Sequence, residues 1–175
     1  VVDEAYIDFS HGPGLLSLVP GKKTLVVLQT LSKAWGLAGI RLGMVFAHPD
    51  LIGYLSGVKY PYNINALTLS QALISLGNTS LREEWVNEIL EEREKLAGKL
   101  GSYSFVEQVH PSDTNFLLVR MSDPSNVYNY LMDRGIIVRD RSTVPLCDGC
   151  LRITVGTDTE NQLLCDALDW YDQNT

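Results

Sequence analysis

The chain has 175 residues, 45% apolar and 20% charged, which is enough apolar material for a core without staples. Fourteen Lys and Arg against 21 Asp and Glu leave a formal charge of −7. An acidic chain with no basic cluster argues against nucleic acid and against an anionic membrane surface, since both need grouped cations.

The opening, Val1-Val2-Asp3-Glu4-Ala5-Tyr6, has no Met and no basic region, and it begins directly on a strand pattern. It reads as an internal boundary, so the chain is expected to be a fragment of something longer. Val1 and Val2 end a strand whose tip carries Asp3. Thr24-Leu25-Val26-Val27-Leu28-Gln29 is a continuous apolar run, the pattern of a parallel strand buried on both faces. Arg41 to Ala47 reads as the next strand, and the loop between the two is too short for an ordinary crossover helix.

His48-Pro49-Asp50 opens a helix running to about Val58. Tyr60-Pro61-Tyr62-Asn63 breaks the chain, and a second helix covers Ala66 to Leu76, stopped by Gly77-Asn78. Ser80-Leu81-Arg82-Glu83 has the form of a capping box. The helix behind it carries Leu81, Trp85, Ile89, Leu96 and Leu100 on one side. Its Glu83, Glu84, Glu88, Glu91, Glu92, Arg93, Glu94 and Lys95 read as a solvated face. Strands follow near Ser104–Val109 and Asn115–Arg120. A helix runs from Asp123-Pro124 to Gly135, and further strands are expected at Ile136–Arg139 and Leu151–Val155. Thr157-Asp158-Thr159-Glu160 is a second capping box, opening a last helix to about Asp172. No apolar run approaches the roughly 20 residues of a membrane span.

The three cysteines are an odd count and suit a reducing cytoplasm. Cys147-Asp148-Gly149-Cys150 has CxxC spacing. Cys165, His11, His48 and His110 do not complete a second ligand pair, so it reads as two thiols in a turn, and no metal is expected.

The residues with chemistry lie early and in order. Lys33 carries an amine. In water a lysine is protonated and a poor nucleophile, so a chemical role needs burial or nearby cations. Thr30 and Ser32 place hydroxyls beside it, and Arg41 adds a guanidinium; together these donors suit a phosphate dianion. Gly36, Gly39 and Gly43 let the backbone bend between the amine and the Arg. Asp3 supplies an anion, and Tyr6 a phenol.

The segments Val1-Val2-Asp3-Glu4-Ala5-Tyr6 and Thr30-Leu31-Ser32-Lys33-Ala34-Trp35-Gly36-Leu37-Ala38-Gly39-Ile40-Arg41-Leu42-Gly43 resemble the fold-type I aminotransferases. Within them the chain is most similar to the C-terminal half of the histidinol-phosphate aminotransferases. Tyr60-Pro61-Tyr62-Asn63-Ile64-Asn65, Asp113-Thr114-Asn115-Phe116-Leu117-Leu118, Gly135-Ile136-Ile137-Val138-Arg139-Asp140 and Cys150-Leu151-Arg152-Ile153-Thr154-Val155-Gly156-Thr157 carry that closer likeness.

The resemblance implies an α/β fold. Residues 1–78 would be the C-terminal part of a large cofactor-binding domain with a mostly parallel sheet, and 79–175 a small α+β domain. It implies pyridoxal 5'-phosphate as cofactor, with Lys33 holding its aldehyde and moving the substrate proton. Asp3 would face the ring nitrogen and Tyr6 the phenolate oxygen, while Thr30, Ser32 and Arg41 would take the phosphate. Arg152 would grip the carboxylate of glutamate, and Arg139 the distal anion, including the phosphate of histidinol phosphate.

The implied reaction is a ping-pong transamination between histidinol phosphate and 2-oxoglutarate in histidine biosynthesis, by a homodimer. The family's glycine-containing phosphate turn, ring-stacking aromatic, upstream Asn and partner-subunit phosphate contacts are missing. The 175-residue chain is therefore expected to be inactive alone and to bind cofactor poorly. An aromatic aminotransferase and a threonine-phosphate decarboxylase on the same fold are the competing enzymes, and a non-catalytic interaction module is the reading from another class.

Overall fold

The computed structural model describes residues 1–175, which form two compact units, Val1–Val86 and Asn87–Thr175.

In the first unit, β1 (Val2–Asp3) runs parallel to β2 (Val26–Thr30), pairing Val2 with Val27 and Asp3 with Leu28. β3 (Gly43–Ala47) is antiparallel to β2, with Thr30 opposite Gly43. The intervening segment holds only a 3-10 turn at Ala38–Ile40, too little chain for a parallel return. The β2 run was expected to be buried on both faces. Val27 is sealed, but Val26 and Leu28, on the opposite face, are only half-buried, so β2 is fully buried at Val27 alone.

Two helices follow. α1 (Pro49–Val58) starts with Pro in its first turn and is capped by His48 Nδ1, which accepts from Asp50 N at 3.3 Å. α2 (Ala66–Leu76) is capped by Asn65 Oδ1, accepting from Thr68 N at 2.9 Å. Both leave large apolar side chains exposed, among them Tyr54, Val58, Leu67 and Leu73.

α3 (Thr79–Leu100) crosses the division between the units. Its start corrects the expected capping box: Ser80 already lies inside the helix, and Asn78 takes the cap. Asn78 Oδ1 accepts from Leu81 N at 3.4 Å and from the Ser80 hydroxyl at 3.1 Å. The supposed solvated face is corrected too, because Glu92 and Arg93 are buried, at 7% and 5% exposure. Each has a tertiary partner. Glu92 accepts from Asn161 Nδ2 at 2.9 Å, and Arg93 Nη1 donates to the Thr114 carbonyl at 2.8 Å. Helical period alone cannot reveal such long-range partners.

The second unit holds β4 (Val106–Val109), β5 (Phe116–Met121), α4 (Pro124–Met132), β6 (Arg139–Asp140), β7 (Cys150–Thr154) and α5 (Asp158–Asn174). Its sheet has the order β4-β5-β7-β6, and every neighbouring pair is antiparallel. The strand expected at Ile136–Arg139 is shorter and later. Gly135, at φ +73°, ends the α4 turn, and Ile136 N bonds back to Leu131 O, so pairing with β7 begins only at Arg139. Alternation along β5 sends Leu117, Val119 and Met121 into the core, with Leu151 and Ile153 of β7. Leu96 and Leu100 of α3, Leu131 of α4 and Leu168 of α5 join the same core.

The second capping box forms as expected, with Thr157 Oγ1 and the Glu160 carboxylate each accepting a backbone N–H of the other residue. Next to it, Asn161 ties three elements together. Its amide donates to Glu92 and to the Gly156 carbonyl, and its Oδ1 accepts from Gly156 N.

The bonds from Lys95 and Asn161 hold the Glu92 carboxyl below its ordinary range. A depressed native value contributes stability above the ordinary value of 4.5, and that contribution is lost as pH falls through it. Glu92→Gln is expected to be less stable than the wild type in urea unfolding at neutral pH. The gap should be about 1–3 kcal/mol, the cost of weakening a buried charged partner, and should close in acid. A gap that is independent of pH would contradict this.

Candidate functional site

The parallel register of β1 and β2 sets their C-terminal ends side by side, where ligands of α/β sheets bind. Asp3 is the last residue of β1. The ladder continues one step beyond it, with Glu4 N donating to Leu28 O at 2.8 Å. Asp3 Oδ1 accepts from Ala5 N at 2.9 Å in a local turn, which leaves the exposed Oδ2 open.

Glu4 is the residue that sequence reasoning passed over. It is buried, accepting from Leu15 N at 2.6 Å and from Gln29 Nε2 at 3.0 Å. It therefore clamps the segment after β1 onto β2 and onto a loop in which Gly14 adopts φ +66°. A Cβ at Gly14 would come within 3.1 Å of both Glu4 carboxylate oxygens. A carboxylate next to a strand tip and a Gln in the neighbouring strand were the only signals for this in the sequence.

The Lys33 loop leaves β2 at Thr30. The Thr30 hydroxyl donates to Ser32 Oγ at 2.8 Å and lies 3.2 Å from the Leu42 carbonyl oxygen, while Ser32 N donates to Thr30 Oγ1 at 3.1 Å. Leu31 and Ala34 are buried on either side of Lys33. Leu37 N donates to Leu31 O, and Gly36, at φ +65°, donates to the Lys33 carbonyl. This pinned loop sets Lys33 Nζ 5.0 Å from the centroid of the Tyr6 ring, a cation–π distance. The structure thus brings Lys33 to Tyr6 and Thr30 to Ser32.

Arg41 makes no hydrogen bond to those hydroxyls. It adopts a left-handed backbone, φ 56° and ψ 44°, which costs a non-glycine residue about 1–2 kcal/mol. Its Nη1 donates to the Ala38 carbonyl at 2.9 Å.

In the second unit, Arg139 of β6 lies directly opposite Arg152 of β7. Like charges at such a cross-strand pair repel unless an anion joins them. Arg152 stacks over the Phe116 ring at 5.0 Å, and its Nε is buried with no hydrogen-bond partner. Neither arginine forms an ion pair or a side-chain hydrogen bond. The Cys147-Cys150 turn carries free thiols, with Cys150 buried at the start of β7.

Residues 1–168 match the family described as aminotransferase class I and II. The chain is 54% identical to histidinol-phosphate aminotransferase of Parabacteroides distasonis over 168 residues, covering 96% of this chain and 49% of that protein. It is 47% identical to that of Cytophaga hutchinsonii over 171 residues, covering 98% and 49%.

Among solved structures, histidinol-phosphate aminotransferase from Clostridium acetobutylicum shares the fold, with a TM-score of 0.92 at 23% identity over 99% of this chain and 54% of that one. The enzyme from Sinorhizobium meliloti, in complex with pyridoxal-5'-phosphate, gives 0.83 at 27% identity over 98% and 48%. L-threonine-O-3-phosphate decarboxylase from Porphyromonas gingivalis gives 0.87 at 25% over 99% and 55%. The chain spans about half the length of the curated relatives it matches. With a pinned lysine loop at the carboxyl ends of two parallel strands and relatives of this kind over nearly its whole length, the chain belongs to the class I and II aminotransferase family.

Proposed function

We propose that this chain is the lysine-bearing half of a pyridoxal-phosphate-dependent enzyme that transaminates histidinol phosphate with 2-oxoglutarate in the cytoplasm. The observation that carries this is the amine of Lys33 held over the Tyr6 ring, beside the strand tip that carries Asp3. In this reading residues 1–78 belong to the large cofactor-binding domain and 79–175 to the small one. The exposed apolar side chains of α1 and α2 suit the contact between two subunits.

The donors in the first unit fit the cofactor. Asp3 offers a carboxylate oxygen to a ring N–H, Tyr6 a phenol, Thr30 and Ser32 paired hydroxyls, and Arg41 the N–H groups not bonded to Ala38. When bound, pyridoxal phosphate supplies an aldehyde for the substrate amine and a ring that accepts electrons.

Lys33 would hold that aldehyde, and its amine, when free, would take the proton from the substrate α-carbon. Asp3 would face the ring nitrogen and favour its protonated form. Tyr6 packs its ring face against the Lys33 side chain, which limits where the amine travels. Arg152 grips the substrate carboxylate, and Arg139, across the ladder, takes the distal anion. The missing half of the large domain would leave the 175-residue chain inactive by itself.

Borohydride reduction of this chain after adding pyridoxal phosphate is expected to leave the cofactor on the peptide containing Lys33, read by mass spectrometry. Trapping elsewhere, or unchanged trapping in Lys33→Ala, would sink the assignment. In the longer enzyme, Lys33→Ala should lower kcat by about 10²-fold or more, the range of a lost proton-transfer group. Release of CO2 without glutamate formation would favour the decarboxylase reading.

Arg152→Gln in the same enzyme is expected to raise KM for glutamate by about 10- to 150-fold, the equivalent of one charge-assisted bond. An unchanged KM would remove Arg152 from the substrate site.

A further inference from the structure

The sheet of the second unit has two unlike faces. One packs Leu117, Val119, Met121, Leu151 and Ile153 into the core. Strand alternation puts Phe116, Leu118 and Arg120 of β5 on the other face, together with Arg152 of β7 and Arg139 of β6.

The register makes three arginines neighbours there. Arg139 is opposite Arg152. Arg152 is opposite Leu118, and Arg120, two residues further along β5, is opposite Cys150. Arg120 and Arg152 are thus diagonal neighbours, roughly 7–8 Å apart at the backbone and within reach for long side chains.

No carboxylate answers these charges. None of Arg120, Arg139 and Arg152 takes part in any of the protein's ion pairs. The Nε atoms of Arg120 and Arg152 are both buried without a partner. So is Nε2 of His110, whose backbone N–H bonds to Leu118 O in line with Arg152. Leaving a buried donor unmade is costly, and repeating it on one side of one sheet marks a surface that an anion completes.

The Arg120 stem is held in place. Met121 N bonds to Gly149 O, and Gly149, at φ +71°, brings its turn so close that a Cβ there would meet the Met121 carbonyl at 3.3 Å and Arg120 Cγ at 3.8 Å.

We infer that Arg120 is a third anion-binding residue of this face, extending the Arg139–Arg152 pair so that it prefers a doubly charged phosphate monoester to a carboxylate. A carboxylate is satisfied by one guanidinium fork. A phosphate dianion has three acceptor oxygens and twice the charge, so it uses a further fork. The inference rests on the proposed reading of Arg139 and Arg152 as substrate residues, and it adds a basis for telling the phosphate-bearing substrate from glutamate.

The test follows the arginine Nε–Hε resonances of the 175-residue chain by NMR during titration with inorganic phosphate, and separately with acetate, at constant ionic strength. The resonances of Arg120 and Arg152 are expected to move along one binding curve, with phosphate at least about tenfold tighter than acetate. Arg120→Gln should weaken phosphate by about tenfold or more and leave acetate within about twofold, as expected for one lost charge-assisted bond. Arg120→Lys, which keeps the charge and guards against a folding defect, should fall between. Phosphate shifts at Arg152 that leave Arg120 unmoved, equal affinities for the two anions, or an unchanged phosphate affinity in Arg120→Gln would overturn the inference. Failure of the longer enzyme to transaminate histidinol phosphate would instead overturn the proposed reaction, which this titration does not measure.

Discussion

One buried carboxylate organises the lysine half of the chain. Glu4 follows the strand tip directly. Its own N–H extends the parallel ladder, while its carboxylate gathers the Leu15 N–H and the Gln29 amide. A buried charge is tolerated only where donors surround it, so the chain on both sides of Glu4 has little freedom. Asp3 and Tyr6 are its near neighbours, and their positions at the end of β1 depend on that clamp. The Lys33 loop is pinned by different means, through buried Leu31 and Ala34 and through backbone bonds to Leu42 and from Leu37. Two rigid segments therefore meet where Lys33 lies over Tyr6.

The second unit solves a different problem. Its sheet is stabilised from one side, where leucines, valines and an isoleucine interlock with α3, α4 and α5. That core offsets the repulsion and unmade bonds collected on the other side. The arrangement is the one the proposed anion-binding face would need: the cost of clustering arginines is met by packing elsewhere, and a bound anion would relieve it. The Glu92–Asn161–Gly156 network, on the core side, ties α3 to the start of α5 just beyond β7.

Much of the lysine site was legible in the sequence because its signals are local. A strand tip with Asp3, a Ser-Lys step and a glycine-punctuated loop each follow from neighbours a few residues apart. The helix at Ala66–Leu76 and the capping box at Thr157 were legible for the same reason. The buried charges of α3 were misjudged because they depend on residues distant in sequence. Glu92 and Arg93 looked solvated because their partners, Asn161 and Thr114, lie 69 and 21 residues away. The start of α3 lies two residues earlier than the Ser80 pattern implies, because Asn78 caps it and Ser80 donates to that cap.

What the sequence carried by itself is a set of chemical groups close together along the chain: an amine, a carboxylate, a phenol and hydroxyls. Side-chain types and local spacing carry that information. The tertiary structure alone decided which of these groups meet. It joined Lys33 to Tyr6, turned Arg41 to the Ala38 carbonyl, and set Arg139 opposite Arg152 with Arg120 on the diagonal. Strand register is fixed by hydrophobic burial across the whole sheet, and a slip of one residue in a strand would send the arginine of that strand toward the core. No short stretch of sequence contains that constraint.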